Sequence, residues 1–447
     1  MKFWKPHSLF LLLAGGFFLR LLLLYLDFSF DVNNHIVWGQ DIFRHGFQGF
    51  YDTPSSQAFG TAYPNYPPIA IYIFSATQYV SNILHAFLWQ INVAVPLFPS
   101  KIMAFADTRI FVAGMYKLPA ICFDIATSYL LFMFAKRIYP KKKSAPFIVV
   151  TLVLFNPVVF YNSAYWGQID IIPIFFAVLS IYILIYSKKY YLSALFFIIG
   201  ILIKPTILLY APVYSLFFLK QYGVQNAVKA LFLSVVFYYA AFLPFYSKGN
   251  FLLYPLITYT TKIMDTQSLQ YVTNGAYNFW NLVAGVSGIR DSAVFLASAS
   301  YRLWGYILWI GLSVFVMLKF HIKNDRVHAF FMSLFLVSFA GFLFLTKMHE
   351  RYLLLSLIPL TLLVPSSRMM VFGFTYVTIV GFLNLYHSWA VPHSPLLYAV
   401  TDNRLFMQSI SLVNIVLCIF YYQLKFIDAK NRNLLLIALI YFVVLYF

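Results

Sequence analysis

The stretch RIFVAGMYKLPAICFDIATSYLLFMFAKRIYPKKK, residues 109–143, decides the fold. Its apolar part, Ile110–Ala135, is long enough to cross a bilayer as a helix, which needs about 20 residues. A dense basic cluster, Lys136–Lys143, follows directly. Because basic residues concentrate on the cytoplasmic side of membrane helices, this stretch predicts a spanning helix that ends in the cytoplasm.

The composition extends this prediction to the whole chain. Of its 447 residues, 62% are hydrophobic and 10% are charged, whereas soluble domains carry roughly 45–50% apolar and roughly 25% charged residues. Residues 1–447 are therefore expected to form a single integral membrane domain. The net charge of +18 is spread over short clusters between apolar runs, which predicts contact with membrane lipids and no nucleic-acid partner.

The apolar runs predict an all-α fold, a polytopic transmembrane helical bundle of about 13 spans. The predicted spans lie near Ser8–Leu26, Ile110–Ala135, Ala145–Asn162, Ile171–Tyr186, Tyr191–Ile203, Ile207–Leu219, Ala230–Phe245, Tyr301–Leu318, His328–Leu345, Tyr352–Val364, Val371–Tyr386, Phe406–Tyr422 and Leu434–Phe447. With a cytoplasmic N-terminus, the basic clusters between these spans all fall on the cytoplasmic side. We expect a multi-pass protein of the plasma (inner) membrane.

The first outer loop, residues 27–109, is predicted to hold interfacial helices. Its apolar part, Pro67–Val93, is long enough to span the bilayer. A span there would place the Lys136–Lys143 cluster outside, against the charge rule. An interfacial or re-entrant helix is the expectation that keeps the rule.

Unusual polar segments fall on the extracytoplasmic side of this topology. They are FDVNNHIVW (Phe30–Trp38), YPNYPP (Tyr63–Pro68), YWGQID (Tyr165–Asp170), KP (Lys204–Pro205), TNGAYNFW (Thr273–Trp280) and KMHER (Lys347–Arg351). A charge in a span costs roughly 2.5–3.5 kcal/mol, so such residues usually face a cavity or a partner. Charged residues at these helix ends are therefore candidates for a functional site.

Each candidate also has a structural interpretation. Asp31 can also be interpreted as a solvated acid in a loop, and Asp170 can be interpreted as a helix N-cap. Lys204 can also be interpreted as a residue at a helix break whose side chain reaches the membrane interface. His349–Arg351 can be interpreted as an ion-paired cluster at that interface. For Arg20 and Asp124, both inside predicted spans, a structural pair between helices is expected.

One chemistry fits this set of residues. An enzyme that moves a sugar from a lipid phosphate to an acceptor hydroxyl has a good leaving group, so it needs cations or hydrogen-bond donors around the phosphate. The acceptor hydroxyl needs one carboxylate as general base, unlike glycoside hydrolysis, which uses two. Asp31 as an isolated acid, and Lys204, His349 and Arg351 as cations, match these needs.

The ordered motifs resemble those of the GT-C superfamily of polyprenyl-phosphate-sugar-dependent glycosyltransferases. The chain is most similar to bacterial relatives of the GPI mannosyltransferases and to dolichyl-phosphate-glucose-dependent glucosyltransferases. The resemblance covers about the first four-fifths of the chain. It rests on Asp31 and Trp38, YPP (Tyr66–Pro68), NP (Asn156–Pro157), GQ-x-D (Gly167–Asp170), KP and YAP (Lys204–Pro205, Tyr210–Pro212), NFW (Asn278–Trp280) and HER (His349–Arg351).

The resemblance implies an inverting, metal-independent transfer of a hexose, mannose or glucose, to a glycan, lipid or protein hydroxyl. It implies no cofactor, and no paired-acid metal motif is evident. Asp31 would be the base, although Val32 and two asparagines follow it instead of the family's acidic or aromatic neighbours; Asp41 and Asp52 stay open as alternatives, as does Asp170. Lys204, His349 and Arg351 would bind the donor phosphate. The expected cavity residues are His35, Trp38, Tyr66, Gln168, Asp170, Asn278, Trp280 and Glu350.

Other functional classes make different demands. A lipid-linked-sugar flippase or other transporter would show inverted repeats and polar residues at mid-membrane, but the polar residues here sit at helix ends and no repeat is visible. An O-antigen ligase or polymerase usually has its large outer loop late in the chain, whereas this loop comes first. A scaffolding role leaves the polar placement unexplained. The transferase is the preferred prediction and the transporter its alternative.

Overall fold

The computed structural model describes residues 6–55, 57–61, 63–265, 269–285, 288–319 and 326–426. The predicted span Leu434–Phe447 lies outside them. Almost all of the described regular structure is helical. The α-helices are α1 Pro6–Leu23, α2 Phe30–His45, α3 Pro68–Ala94, α4 Ser100–Ala106, α5 Arg109–Ile138, α6 Ala145–Leu154, α7 Pro157–Phe160, α8 Ile171–Tyr186, α9 Tyr190–Ile203, α10 Ala211–Phe242, α11 Tyr254–Ile257, α12 Phe279–Ala284, α13 Tyr301–Lys319, α14 Arg326–Phe344, α15 Leu354–Leu363, α16 Arg368–Trp389, α17 Pro395–Thr401 and α18 Arg404–Phe426.

Short elements connect these helices. Turns of 3-10 helix lie at Phe50–Asp52, Pro205–Tyr210, Leu243–Phe245, Glu350–Leu353 and Val364–Ser366, and π-helical turns at Tyr161–Trp166 and Thr258–Met264. The strands are β1 Thr273–Asn274, β2 Val294–Leu296, β3 Ala299–Ser300 and β4 Met348–His349. Strand β1 pairs in parallel with β4, and β2 pairs antiparallel with β3.

The helices confirm a helical protein with membrane-spanning potential. Six helices in the described part are long and apolar enough to cross a bilayer, or up to seven if the bent pair α6–α7 is one span. Helices α1, α8 and α9 are apolar but shorter. The count of about 13 spans stays a prediction.

Most predicted span boundaries agree with the helices, and one span is broken. Helix α8 has the predicted bounds, and α9 begins one residue earlier than predicted. The single predicted span Ala145–Asn162 is instead divided at Asn156–Pro157 and bent by 40°. The Asn156 side chain accepts a hydrogen bond from the Val158 N–H and starts a new helix, as expected for an N-cap residue followed by proline.

Helix α10 is divided into two segments by a kink at Gly223. This glycine has φ +76° and ψ 171°, a conformation that is nearly exclusive to glycine. Residues on both sides of it, such as Tyr214 and Ser234, line one cavity, so the two segments lie side by side. Two spans were predicted here, at Ile207–Leu219 and Ala230–Phe245; by length and composition the stretch Pro205–Phe245 counts as one candidate span, so the second span stays a prediction.

Loops predicted to be cytoplasmic contact one another in two pairs. The Lys142 ammonium donates to the Pro365 carbonyl at 3.0 Å, which joins the loop after α5 to the turn before α16. The Tyr222 hydroxyl, next to Gly223, donates to the Ser187 carbonyl at 2.9 Å. The predicted extracytoplasmic segments gather separately, as described below.

Helix α3 contains the stretch predicted to be interfacial. It is one unbroken helix of 27 residues, about 40 Å long at 1.5 Å per residue. Its first half is buried, with Ala70, Ile71 and Phe74 packed in the core, whereas Phe87 and Val93 near its end are exposed. It is not among the helices apolar enough to be candidate spans.

Arg20 and Asp124 form the structural pair predicted between helices. The Arg20 Nε lies 2.5 Å from Asp124 Oδ2, and both side chains are fully buried. Arg20 also donates to the Leu154 carbonyl at 2.9 Å, so the pair joins α1, α5 and the end of α6. It lies away from the cavities described below.

Candidate functional site

Helix α2 forms one wall of a polar cavity, here called the Asp31 cavity. Asp31, Asn34, His35 and Trp38 are spaced three to four residues apart and therefore lie on one face of the helix. The cavity measures about 210 Å³, below the roughly 300–1,000 Å³ of sites for drug-sized ligands. It is lined by Asp31, Asn34, His35, Trp38, Phe59, Gly60, Thr61, Asn65, Tyr66, Leu269, His349 and Arg351.

The structure brings Asp31 and Gln168 together from distant parts of the sequence. The Gln168 amide donates to Asp31 Oδ2. Gly167, with φ +91°, precedes Gln168, and a Cβ at this position would overlap the Val32 side chain. The chain can approach α2 this closely only because residue 167 has no side chain.

Asp170 joins the two predicted cations in a buried cluster. Asp170 Oδ1 accepts from the Lys204 ammonium, and its Oδ2 lies 3.7 Å from Arg351 Nε. Burial alone would raise the pKa of Asp170, but Lys204 and Arg351 hold it below its usual value. Asp170 stands just before α8, but its side chain makes no capping hydrogen bond.

Lys204 marks a helix break but does not reach solvent. It ends α9 in an extended conformation, with φ −154°. Its side chain is 1% exposed and lies between the rings of Tyr66 and Tyr352, at 5.7 and 5.5 Å. A cation in this position is held by one carboxylate and two aromatic faces.

The HER motif is an ion-paired cluster in which the histidine is neutral. Arg351 Nη1 donates to Glu350 Oε1 at 2.7 Å, and His349 Nδ1 lies 3.6 Å from Glu350 Oε2. Although burial opposes it, Arg351 lowers the pKa of Glu350 to about 2. Burial first, and then Arg351, lower the pKa of His349. His349, expected as a cation, is therefore a neutral imidazole that lines the cavity.

Two buried side chains direct unused polar atoms at this cavity. His35 and Trp38 are each 1% exposed. Within the described part of the chain, both ring nitrogens of His35 and the indole nitrogen of Trp38 have no hydrogen-bond partner. Buried polar groups are nearly always paired with protein or ordered water, so these atoms are available for hydrogen bonds to whatever occupies the cavity.

Asn278 and Trp280 were expected to line this cavity. Their side chains instead make hydrogen bonds that stabilise the helix packing. The Asn278 side chain caps α12 by accepting from the Asn281 N–H. The Trp280 indole donates to the Phe344 carbonyl at 2.7 Å. Their segment reaches the site through its backbone, because β1 pairs Asn274 with His349.

Two of the alternative bases, Asp41 and Asp52, do not line the Asp31 cavity, and the third, Asp170, is ion-paired beside it. Asp41 lines a different cavity, 3.4 Å from the Ser55 hydroxyl. Asp52 accepts a hydrogen bond of 2.7 Å from the Ser247 hydroxyl. Asp170 is ion-paired to Lys204. Among the residues that the structure describes, Asp31 has no basic partner within salt-bridge distance, whereas Asp170 and Glu350 each have one or more.

Sequence reasoning identified only the end of the segment that covers α2, residues 63–65 within YPNYPP, and missed residues 53–55 and 57–61. Residues 53–55, 57–61 and 63–65, here called the cover segment, contribute Phe59, Gly60, Thr61 and Asn65 to the cavity. Asn34 holds this segment, since its amide donates to the Phe59 carbonyl at 2.8 Å and its oxygen accepts from the Phe59 N–H at 2.5 Å. Asn34 follows Asp31 by three residues, so the sequence shows a polar residue on this face of α2. The residue to which Asn34 forms hydrogen bonds could not be predicted from the sequence.

A second cavity, here called the Trp309 cavity, adjoins the cations. It measures about 300 Å³, and its lining includes Pro205 and Tyr352, the residues that follow Lys204 and Arg351. Leu208, Leu209, Trp309, Leu345 and Met348 make much of its wall apolar. Its charged lining residues include the Asp291–Arg302 pair, 2.7 Å apart.

The described residues include no group of three or more His, Cys, Asp or Glu side chains that could hold a metal ion. In comparisons with known proteins, no family model matches this chain and no curated protein sequence is similar to it.

Proposed function

We propose that this protein is a membrane glycosyltransferase of GT-C type, which transfers a hexose, mannose or glucose, from a polyprenyl-phosphate donor to an acceptor hydroxyl. The reaction takes place in the Asp31 cavity, at the extracytoplasmic face of the plasma (inner) membrane. The helical architecture and the six candidate spans support the membrane setting.

One observation carries the proposal: among the described residues, the cluster has three carboxylates, and Asp31 alone has no cation within salt-bridge distance. Asp170 and Glu350 make direct ion pairs with Lys204 and Arg351, so they are poor proton acceptors, whereas the charge of Arg351 acts on Asp31 from beyond salt-bridge distance. Asp31 lies on the cavity wall, oriented by Gln168. A single oriented carboxylate in a cavity is what deprotonation of an acceptor hydroxyl requires.

Arg351, which also lines the Asp31 cavity, supports departure of the phosphate. Arg351 uses Nη1 on Glu350, while its Nε is buried without a hydrogen bond among the described residues. As the acceptor oxygen bonds to the anomeric carbon, Asp31 takes its proton, and the bond from that carbon to the phosphate oxygen breaks. The negative charge that develops on the polyprenyl phosphate is stabilised by Arg351 and by N–H donors such as His349.

The Trp309 cavity supports a lipid-linked donor. Arg351 lines the Asp31 cavity, and the next residue, Tyr352, lines the largely apolar Trp309 cavity together with Pro205, which follows Lys204. A phosphate held at this boundary would place its sugar in the Asp31 cavity and its first isoprene units against Trp309 and Leu208. Apolar contact of this kind stabilises a bound chain by about 25 cal/mol per Å².

A donor panel tests the proposal. The purified protein in nanodiscs is incubated with radiolabelled polyprenyl-phosphate mannose, glucose, galactose and arabinose, with and without chelator, and donor consumption and labelled product are measured. We expect one donor to be consumed, at the same rate with chelator. No consumption of any donor, together with movement of the lipid across liposomes, would replace the transferase by a flippase.

A further inference from the structure

The polar face of α2 continues past the Asp31 cavity into another one. Asp41 and His45 follow Trp38 at spacings of three and four residues, so they extend the same face. Both line a cavity of about 370 Å³, here called the Asp41 cavity. Asp31 and Asp41 are about 15 Å apart along the helix axis at 1.5 Å per residue.

The cover segment lies over both cavities. Its Thr53, Pro54, Ser55, Gln57 and Pro64 line the Asp41 cavity, whereas Phe59, Gly60, Thr61 and Asn65 line the Asp31 cavity. Because the consecutive residues Pro64 and Asn65 face different cavities, the two cavities are neighbours. Both lie along the same face of α2.

The lining of the Asp41 cavity selects a class of ligand. Its polar side chains are one carboxylate, one imidazole, two amides and two hydroxyls, from Asp41, His45, Gln48, Gln57, Thr53 and Ser55. The described lining contains no Lys or Arg, which disfavours a phosphate or another anion. Planar amides and carboxylates that donate to and accept from hydroxyls suit a neutral, polyhydroxylated ligand.

The relative sizes point to more than one sugar ring. The Asp41 cavity measures about 370 Å³, against about 210 Å³ for the Asp31 cavity. Phe50, Pro54 and Pro64 add flat apolar surface to its polar lining, on which the C–H face of a sugar ring can pack.

We propose that the Asp41 cavity binds the acceptor sugars next to the one whose hydroxyl is deprotonated at Asp31. The acceptor is then an oligosaccharide or a growing glycan chain, not a single sugar or an isolated lipid or protein hydroxyl. This inference rests on the proposed function, because it takes the Asp31 cavity as the place of transfer.

A binding measurement tests it without donor or turnover. Fluorescently labelled manno-, gluco- and galacto-oligosaccharides of increasing length, from monosaccharide to tetrasaccharide, are titrated against the protein in nanodiscs. We expect one series to bind at least tenfold more tightly as the trisaccharide than as the monosaccharide. Asp41→Asn and Gln57→Ala are each expected to remove most of this gain, because each deletes hydrogen bonds to the added rings.

Two control variants make the same kinds of substitution, of an aspartate and of a glutamine, outside both cavities. Asp107→Asn and Gln90→Ala change residues that line neither cavity and should keep the gain with length. If a lining variant does not fold, Gln48→Ala and Ser55→Ala replace it. Absence of a length gain in the wild type, or a gain unchanged in the lining variants, would overturn the inference. A length gain without consumption of any donor would instead sink the proposed function and leave the Asp41 cavity as an oligosaccharide-binding site without an acceptor role.

Discussion

At the residue scale, Asp170 and Lys204 form a buried ion pair whose two members are 5% and 1% exposed. Removing one member of such a pair leaves an uncompensated buried charge, at a cost of about 3–5 kcal/mol. We expect Asp170→Asn to lower the thermal unfolding temperature strongly, and Asp170→Asn combined with Lys204→Met to recover part of the loss. Asp107→Asn, at an exposed acid, is the control, and a double variant no more stable than Asp170→Asn would contradict the pairing.

His35 makes stability depend on pH. Burial lowers its pKa to about 3, whereas an unfolded histidine has a pKa of about 6.5. Between these values the unfolded chain binds more protons, so the free energy of unfolding falls as the pH drops below about 6.5 and continues to fall to about 3. We expect His35→Gln to lose less stability between pH 7 and pH 5 than the wild type, measured by thermal unfolding.

Exposed His393 gives the matched control for this prediction. His393→Gln should leave the wild-type loss between pH 7 and pH 5 unchanged. The pH range from 7 to 5 lies above the range in which protonation of Glu350 begins to change the free energy of unfolding. The pKa of Glu350 is about 2 in the folded protein, against 4.5 for an ordinary glutamate. An identical loss in His35→Gln and the wild type would contradict a neutral, buried His35.

At the element scale, Gly167 allows the segment that holds Gln168 to pack against α2. A non-glycine residue at its positive φ costs about 1–2 kcal/mol, and a Cβ there would also overlap Val32. We expect Gly167→Ala to lower the unfolding temperature and to abolish donor consumption, because the turn of α2 that carries Asp31 must move.

Gly249→Ala separates the two causes. Gly249 has φ +89°, but a Cβ added there would meet nothing within 4 Å, so its substitution introduces strain without overlap. Its loss of stability should be clearly smaller than that of Gly167→Ala, with donor consumption retained. Equal losses in the two variants would mean that the approach of residue 167 to α2 does not position the site.

Helix ends were predictable where charged residues or proline interrupt an apolar run. Lys188 and Lys189 separate α8 from α9, and Lys204–Pro205 ends α9, so these bounds agree within one residue. The break at Asn156–Pro157 was missed because the surrounding apolar run is continuous, although an N-cap residue before proline is a known helix start. Apolarity shows how long a run is, but not whether it is one helix.

The site was predictable in outline for a related reason. The predicted topology assigns each helix end to one of the two sides of the membrane. The residues at the predicted extracytoplasmic ends could therefore be grouped from the sequence; they include Asp31, Gln168, Asp170, Lys204 and Arg351. Their pairing could not be predicted, because it depends on how each helix is rotated against its neighbours. Asn278 and Trp280 share the face but point into the scaffold.

At the scale of the whole molecule, the proposed orientation can be tested by labelling. Cys122 and Cys418 are replaced by alanine, and single cysteines are introduced at exposed Asn250, at the end of the molecule near the site, and at exposed Lys188, among the basic loops. In intact cells, a membrane-impermeant maleimide should label Asn250→Cys, but Lys188→Cys only after permeabilisation. Labelling of both from outside would contradict the topology.

The most direct test of the central claim is single-turnover transfer by Asp31→Asn with the donor that the panel identifies. Donor affinity is measured separately by titration, and Asp41→Asn and Asp52→Asn are compared in parallel. We predict that Asp31→Asn binds donor within about threefold of the wild type but transfers sugar at least 100-fold more slowly, in line with the roughly 10²–10⁴-fold contribution of a general base. Transfer at the wild-type rate in Asp31→Asn, or a comparable loss confined to Asp41→Asn or Asp52→Asn, would contradict it.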